Sequence, residues 1–166
     1  LGAEKYFDIV CPSAGLRPAA AVIVATVRAI LAHEPGNLQP GLANLARHID
    51  IVQGFGVPVV VALNHFPADA PEHTLAIQEF CRARGVACEK SEVFSRGADG
   101  AIELAQKVMA AANSGQANAR ALYAADAPIE QKLQAIAQKV YGADGVQLSD
   151  AARAKIEEIR RAGERA

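Results

Sequence analysis

The sequence predicts an α/β protein in which a parallel sheet lies between two layers of helices and the C-terminal end is helical. Residues 1–112 alternate strand-like apolar runs with segments of helical periodicity. This order is typical of parallel strands joined by crossover helices. A polar stretch, NSGQAN, follows at residues 113–118. We therefore expect an α/β body at 1–112, a linker at 113–118 and a helical appendix at 119–166.

Three apolar runs predict the strands. Residues 20–27 (AAVIVATV) and 57–63 (VPVVVAL) are almost continuously apolar and rich in β-branched side chains. Such runs indicate strands that are covered on both faces of a sheet. Residues 86–93 (VACEKSEV) predict a shorter third strand.

Helical periodicity fills the segments between and after these strands. Residues 38–55 and 71–84 repeat apolar side chains at helical spacing, and glycines follow each segment as expected for helix ends. Residues 94–100 predict a loop and residues 100–112 a third helix. In the appendix, helices are expected at 129–141 and 149–161, the first after a Pro and the second with Ser149 as N-cap.

Composition narrows the class of protein. The 166 residues are 51% hydrophobic and 21% charged, values typical of a globular domain. A net charge of −1, with both signs mixed along the chain, argues against nucleic-acid binding. No apolar run reaches the ~18 residues of a membrane span. Three cysteines without a C-x-x-C pair predict neither a disulfide framework nor a metal site, and they suit a reducing, cytoplasmic location.

Polar residues stand where the predicted strands end, which is where ligands bind in open parallel sheets. Asn64 ends the second strand and Ser91 lies near the end of the third. An amide and a hydroxyl at neighbouring strand ends are suited to hydrogen-bonding the edge of a purine. The alternative is that Asn64 only caps its strand and takes up a turn conformation.

Two of the five Phe residues also fall in these strand-end segments. Phe66, followed by Pro67, and Phe94 lie outside the periodic core positions. Two rings at neighbouring strand ends would sandwich a flat heterocycle, each stack contributing about 0.5–1.5 kcal/mol beyond area burial. The alternative is that both rings pack down onto the sheet as loop anchors.

Charged side chains complete the set of candidates. Arg28 and His33 follow the first strand; the first suits a phosphate or carboxylate and the second suits proton transfer. Either side chain is also common on an ordinary surface. Arg96 precedes Gly97, whose lack of a side chain would let the backbone approach a ligand.

Six blocks, in order, resemble the formate–tetrahydrofolate ligase family. They are LGAEKYFDIVC from residue 1, VATVRAILAH from 24, GLANLARHI from 41, FGVPVVVALNHFPADA from 55, SEVFSRGADG from 91 and IAQKVYGADGV from 136. The chain has no G-x-x-x-x-G-K-[ST] phosphate loop. The resemblance implies a fold of the P-loop NTPase type, with that loop upstream of Leu1, and an internal-to-C-terminal fragment of a longer protein.

The resemblance also implies an activity and its site. The family makes 10-formyltetrahydrofolate from formate, tetrahydrofolate and ATP with Mg, through formyl phosphate. It implies these small molecules as substrates, no tightly bound cofactor, and a homo-oligomeric full-length enzyme. Phe66 and Phe94 match the family's pterin-stacking positions, with Pro67 beside the first. Asn64, Ser91, Arg96 and Gly97 are then expected to contact ligand, and Arg28 and His33 to serve the chemistry.

Departures from the family pattern keep other functions open. Leu31, Glu34 and Pro35 stand where the family has a Lys and two Gly, so a cation is lost and a turn is stiffened. Phe94 stands where Trp is the common family residue. A non-catalytic scaffold or subunit-contact module is therefore one alternative. A module that binds another flat heterocycle, such as a purine, is a second.

Overall fold

The computed structural model describes residues 2–163, which form two compact units. Residues 18–119 make an α/β unit, and residues 2–17 together with 120–163 make a helical unit. This grouping differs from the division expected from the sequence, in which residues 1–112 formed one body. The difference arises because the first residues contact the helical segment, as when the backbone N–H of Leu122 donates to Asp8 Oδ1 at 2.7 Å.

Within residues 2–163 the elements follow one another in short segments. In chain order they are α1 (Ala3–Lys5), a π-helical turn (Tyr6–Val10), α2 (Cys11–Ala14), β1 (Ala21–Ala25), α3 (Val27–Leu31), α4 (Gln39–Gly54), β2 (Val59–Asn64), α5 (Pro71–Ala83), β3 (Ala87–Ser91), α6 (Val93–Arg96), a 3-10 helix (Gly97–Ala101), α7 (Ile102–Ala112), α8 (Ile129–Lys139) and α9 (Asp150–Arg161).

The three strands form one parallel sheet in the order β1-β2-β3. The predicted α/β class is confirmed. β2 is the central strand, and its Val60, Val61 and Leu63 side chains are fully buried. The register aligns Leu63 with Ala25 on one side and Asn64 with Ser91 on the other. All three strands therefore end at the same edge of the sheet.

β1 is less covered than its composition predicted. Val22 and Val24 are 44% and 69% exposed, although the continuous apolar run indicated a strand covered on both faces. The reason lies in the packing of the helices, since α7 rests on β2 and β3, and β1 is the edge strand that α7 does not cover. A run of apolar residues indicates that a segment forms a strand, but the position of that strand in the sheet decides how far its side chains are buried.

Helices cover both faces of the sheet, in agreement with the three predicted layers. The buried side chain of Cys88 on β3 faces the buried Cys81 on α5, whereas Lys107 on α7 pairs with Glu89 on β3 at 3.8 Å. Cys88 and Glu89 are consecutive, and consecutive side chains of a strand point to opposite faces. The helices α5 and α7 therefore lie on opposite sides of β3.

Two local features differ from the predicted boundaries and shape the strand-end edge. Thr26 belongs to the cap of α3 and not to β1, because its hydroxyl accepts a hydrogen bond from the Ala29 N–H at 3.0 Å. The segment expected as a loop at 94–100 is helical, comprising α6 and the 3-10 turn. Gly97 makes the bend between them with φ 58°, a region that favours glycine.

The helical unit has its own small core, in which Phe7, Cys11, Leu122, Val140 and Ile156 are buried. The predicted N-cap is confirmed, since the Ser149 hydroxyl accepts from the backbone N–H of Ala152 at 3.2 Å. Arg160 on α9 binds both carboxylate oxygens of Glu130 on α8, at 2.6 and 2.7 Å. No helix within residues 2–163 has the length and apolar character needed to cross a membrane.

Candidate functional site

The carboxyl ends of the three strands bring most of the predicted site residues to one edge of the sheet. Asn64 and Ser91 are partners in the β2–β3 register, and both are half-buried. The pairing between β2 and β3 continues one residue beyond the end of β2, because the His65 N–H donates to the Ser91 carbonyl at 3.0 Å. The predicted adjacency of an amide and a hydroxyl at this edge is therefore present.

Phe66 lies directly under a guanidinium group. The Arg28 Cζ atom is 4.1 Å from the centroid of the Phe66 ring, within the range of a cation–π contact. Two hydrogen bonds hold the partners in place. The Thr26 cap fixes the first turn of α3, and the Phe66 N–H donates to Asp69 Oδ2 at 2.8 Å. The contact between Arg28 and the Phe66 ring therefore connects the segment that follows β1 with the segment that follows β2.

Phe94 differs from Phe66 in its surroundings. It lies in α6, just after β3, and its side chain is 93% exposed. This exposure excludes the alternative in which the Phe94 ring packs onto the sheet as a loop anchor. An aromatic ring held in water loses the hydrophobic contribution of its area, so its exposed faces remain available to a stacking partner. Pro67 is exposed as well, whereas Phe66 is half-buried.

A carboxylate that was not among the predicted site residues connects the remaining side chains. Glu92 Oε2 accepts a hydrogen bond from Arg96 Nη1 at 3.0 Å, and Glu92 Oε1 lies 3.5 Å from His65 Nδ1. The bond from Arg96, followed by the nearby charges of Lys90 and His65, lowers the pKa of Glu92 below its usual value. Arg96 is therefore paired rather than free, with its side chain 59% exposed.

A cleft of about 320 Å³ opens beside this network. It is lined by Lys90, Glu92, Arg96, Asp99, Gly100, Ile102 and Glu103. The lining mixes both charges and is largely open, so it suits a polar, charged portion of a ligand better than an apolar ring. Apart from Lys90, which lies in β3, the lining of the cleft belongs to the segment that follows this strand, as does the exposed Phe94 ring.

His33 lies apart from these contacts. It follows the end of α3 and is exposed, and its Nε2 is 3.3 Å from Asn44 Nδ2 on α4. Arg28, from the same segment, instead covers Phe66. The two residues expected to share the chemistry therefore engage different elements. Residues 2–163 contain no cluster of three or more His, Cys, Asp or Glu side chains suited to a metal ion.

Sequence reasoning missed Glu92 and His65, although each had a signal. Glu92 directly follows β3 and stands four residues before Arg96, the spacing of a helical ion pair. His65 lies between Asn64 and Phe66, two residues that were singled out. The contact between Arg28 and Phe66 joins positions far apart in the chain, which no local pattern indicates.

The arrangement consists of residue types that are suited to a flat aromatic ligand with polar edges. It offers an exposed ring, a ring backed by a fixed cation, an amide beside a hydroxyl, and a cleft of mixed charge. A family model described as formate–tetrahydrofolate ligase matches residues 1–166. The chain belongs to the formate–tetrahydrofolate ligase family.

A curated relative agrees with this family assignment. The chain is 46% identical over 157 residues to the formate–tetrahydrofolate ligase of Allorhizobium ampelinum. The match covers 88% of this chain and 28% of the relative. The chain thus spans little more than a quarter of the length of this ligase, and the resemblance noted in its six sequence blocks is confirmed.

Proposed function

We propose that this chain supplies the tetrahydrofolate pocket of an ATP-dependent formate–tetrahydrofolate ligase. The reaction joins formate to tetrahydrofolate through formyl phosphate and yields 10-formyltetrahydrofolate. Membership of the family and the named activity of the Allorhizobium relative support this assignment. Formate, tetrahydrofolate and ATP with Mg are then the small-molecule substrates of the full enzyme, which we expect to be cytoplasmic and homo-oligomeric.

One observation carries the folate assignment: the Phe94 ring, which follows the end of β3, is 93% exposed. Phe66 follows the end of β2, the neighbouring strand. Keeping a large apolar side chain in water is unfavourable unless a partner covers it. The pterin of tetrahydrofolate has flat faces and a hydrogen-bonding edge. Stacking on one ring would contribute about 0.5–1.5 kcal/mol beyond the area buried. Asn64 and Ser91 lie at this edge of the sheet, where an amide and a hydroxyl suit the polar edge of the pterin.

The charged residues take their proposed roles from their contacts. Arg28 backs the Phe66 ring and presents a permanent cation at the end of β1, suited to an anionic intermediate such as formyl phosphate. Arg96 lines the mixed-charge cleft and Gly97 is the next residue along the chain, so we assign both to the glutamate portion of the folate. His33 keeps its proposed part in proton transfer, with Asn44 orienting its ring.

The phosphate chemistry requires more than these residues. In P-loop NTPases, phosphoryl transfer depends on a cradle of backbone N–H groups, a Lys and Mg around the transferred group. The 166 residues contain no P-loop motif that would form such a cradle. We therefore expect the 166-residue chain to bind tetrahydrofolate weakly and to catalyse no ligation by itself.

A scaffold function is the second candidate, and the segment after α3 favours it. The helix ends at Leu31, the position at which the family pattern has a Lys, and the Glu34 carboxylate accepts a hydrogen bond from Asn37 Nδ2 at 3.0 Å. The acidic Glu34 thus occupies a turn where the family has Gly. A chain that had lost its chemistry would keep the sheet and show no folate affinity.

Calorimetric titration with tetrahydrofolate, and separately with ATP, distinguishes the candidates. We expect heat from tetrahydrofolate, and a loss of affinity of about tenfold in Phe94→Ala and Phe66→Ala. Phe80→Ala is the matched control, since Phe80 also lies near a guanidinium, Arg84, at 5.9 Å, but on α5. Equal affinity in Phe66→Ala, Phe94→Ala and Phe80→Ala would refute the stacking roles. No binding by the unmodified chain would favour the scaffold.

A further inference from the structure

We propose that Glu92 is a positioning residue that sets the separation of the two strand-end segments carrying Phe66 and Phe94, and thereby the affinity for the folate. The proposal rests on the function proposed above for this site. Glu92 also lines the mixed-charge cleft, but the role proposed here is to position other residues. Its role is to act through His65 on one side and through the turn of α6 on the other.

The backbone of Glu92 anchors the segment that bears Phe94. The Glu92 N–H donates to the Gly100 carbonyl at 2.9 Å, which closes the segment into a loop. The Glu92 carbonyl accepts from the N–H groups of Ser95 and Arg96, at 3.1 and 2.9 Å. The loop is tightly closed, because a Cβ atom built on Gly100 would lie 2.5 Å from the carbonyl carbon and oxygen of Glu92. Phe94 therefore moves with Glu92.

The side chain of Glu92 reaches across to the neighbouring strand end. Its Oε1 atom lies 3.5 Å from His65 Nδ1, and its Oε2 atom accepts from Arg96 Nη1 at 3.0 Å. The His65 and Glu92 side chains are only 19% and 24% exposed, so water screens this contact less than it screens a surface pair. One carboxylate thus joins the residue before Phe66 to the helical turn that contains Phe94.

The position of His65 transmits this contact to Phe66. The backbone of His65 is tied to the Ser91 carbonyl, at 3.0 Å, and the next N–H, that of Phe66, is tied to Asp69. These two hydrogen bonds fix the backbone on both sides of the His65 side chain. A carboxylate held against that ring therefore constrains the start of the Phe66 turn.

Binding measurements on Glu92→Gln test the proposal. Glutamine keeps the size and one acceptor oxygen but removes the charge shared between His65 and Arg96, so we expect tetrahydrofolate to bind about tenfold more weakly. Glu89→Gln is the matched control. Glu89 lies within β3, the strand that Glu92 follows, and its side chain is 22% exposed and pairs with Lys107 at 3.8 Å. We expect Glu89→Gln to keep the original affinity.

Fluorine NMR of protein labelled with para-fluorophenylalanine distinguishes a positioning role of Glu92 from a general contribution to the stability of the fold. The chain has five Phe residues, so Phe→Leu substitutions assign each resonance. We expect Glu92→Gln to shift the Phe66 and Phe94 resonances and to leave that of the fully buried Phe55 in place. Shifts in all five resonances would indicate general loosening of the fold and would overturn the positioning role.

The outcomes separate this proposal from the folate assignment. Unchanged Phe66 and Phe94 resonances in Glu92→Gln, with or without folate, would overturn the proposal. Selective shifts of these two resonances without tetrahydrofolate binding by any variant would refute the folate function but support positioning of the rings. Selective shifts combined with unaltered folate affinity in Glu92→Gln would overturn the link between position and affinity.

Discussion

Gly41 occupies a position in α4 where a single methyl group should separate two helices. A Cβ atom built on Gly41 lies 2.2 Å from the Ile30 carbonyl oxygen and 2.7 Å from the Ile30 carbonyl carbon, whereas ordinary contact begins at 3.4 Å. In Gly41→Ala the backbones of α3 and α4 must therefore move apart by about 1 Å. Overpacking of this kind typically costs about 1–3 kcal/mol of unfolding free energy.

Gly54 offers a control at the other end of the same helix. A Cβ atom on Gly54 meets no heavy atom of the described residues within 4 Å. In Gly54→Ala only the gain in helix propensity remains, at most about 1 kcal/mol. We expect Gly41→Ala to lower, and Gly54→Ala to leave or raise, the urea midpoint of the α/β unit.

The assay and its consequence for the site follow from the same contact. Unfolding is best followed by far-ultraviolet circular dichroism, because the chain has no Trp. Ile30 belongs to α3, which also carries Arg28, so we expect Gly41→Ala to weaken the contact of Arg28 with the Phe66 ring. A Gly41→Ala protein as stable as Gly54→Ala would show that the helices separate freely and would refute the reasoning.

Two further predictions concern burial and pH. Val61→Ala should lower the unfolding free energy by about 1–3 kcal/mol, because Val61 is fully buried in β2. Val24 is 69% exposed on β1, so Val24→Ala should change the unfolding free energy by less than about 0.5 kcal/mol. Equal urea midpoints for the two variants would contradict this prediction. Burial raises the pKa of Asp8 above its usual value of 3.8, so the folded chain keeps the Asp8 carboxyl protonated to higher pH than the unfolded chain does. The stability that this proton contributes is lost as the pH rises through the pKa of the folded state. Asp8→Asn should therefore flatten the decline of thermal stability above about pH 3.8, and an unchanged slope in that variant would show that Asp8 does not cause it.

Much of the fold could be predicted because its signals are local. The continuous apolar run of β2 predicted a buried central strand, and Val60, Val61 and Leu63 are fully buried. Ser149 was recognised from its place before a periodic segment, and its hydroxyl caps α9. Caps and strand cores depend on residues close together in the chain, so a short stretch of sequence contains the whole cause.

The predictions that failed involve partners distant in the chain. Val24 has the composition of a buried strand residue, yet it is 69% exposed because α7 packs on the other two strands. The segment after β3 was expected to be a loop, yet it closes into α6 and a 3-10 turn through the bond between Glu92 and Gly100. Neither outcome follows from the apolar pattern of the segment itself.

The sequence by itself determined the α/β class, the order of strands and helices, the family, and the residue types gathered at the strand ends. Only the tertiary structure decided how those residues are paired. It placed Arg28 over Phe66, left Phe94 in water and joined His65 to Arg96 through Glu92. The physical reason is that parallel strands bring their ends to one edge from distant parts of the chain, where charge and ring geometry act over a few ångströms.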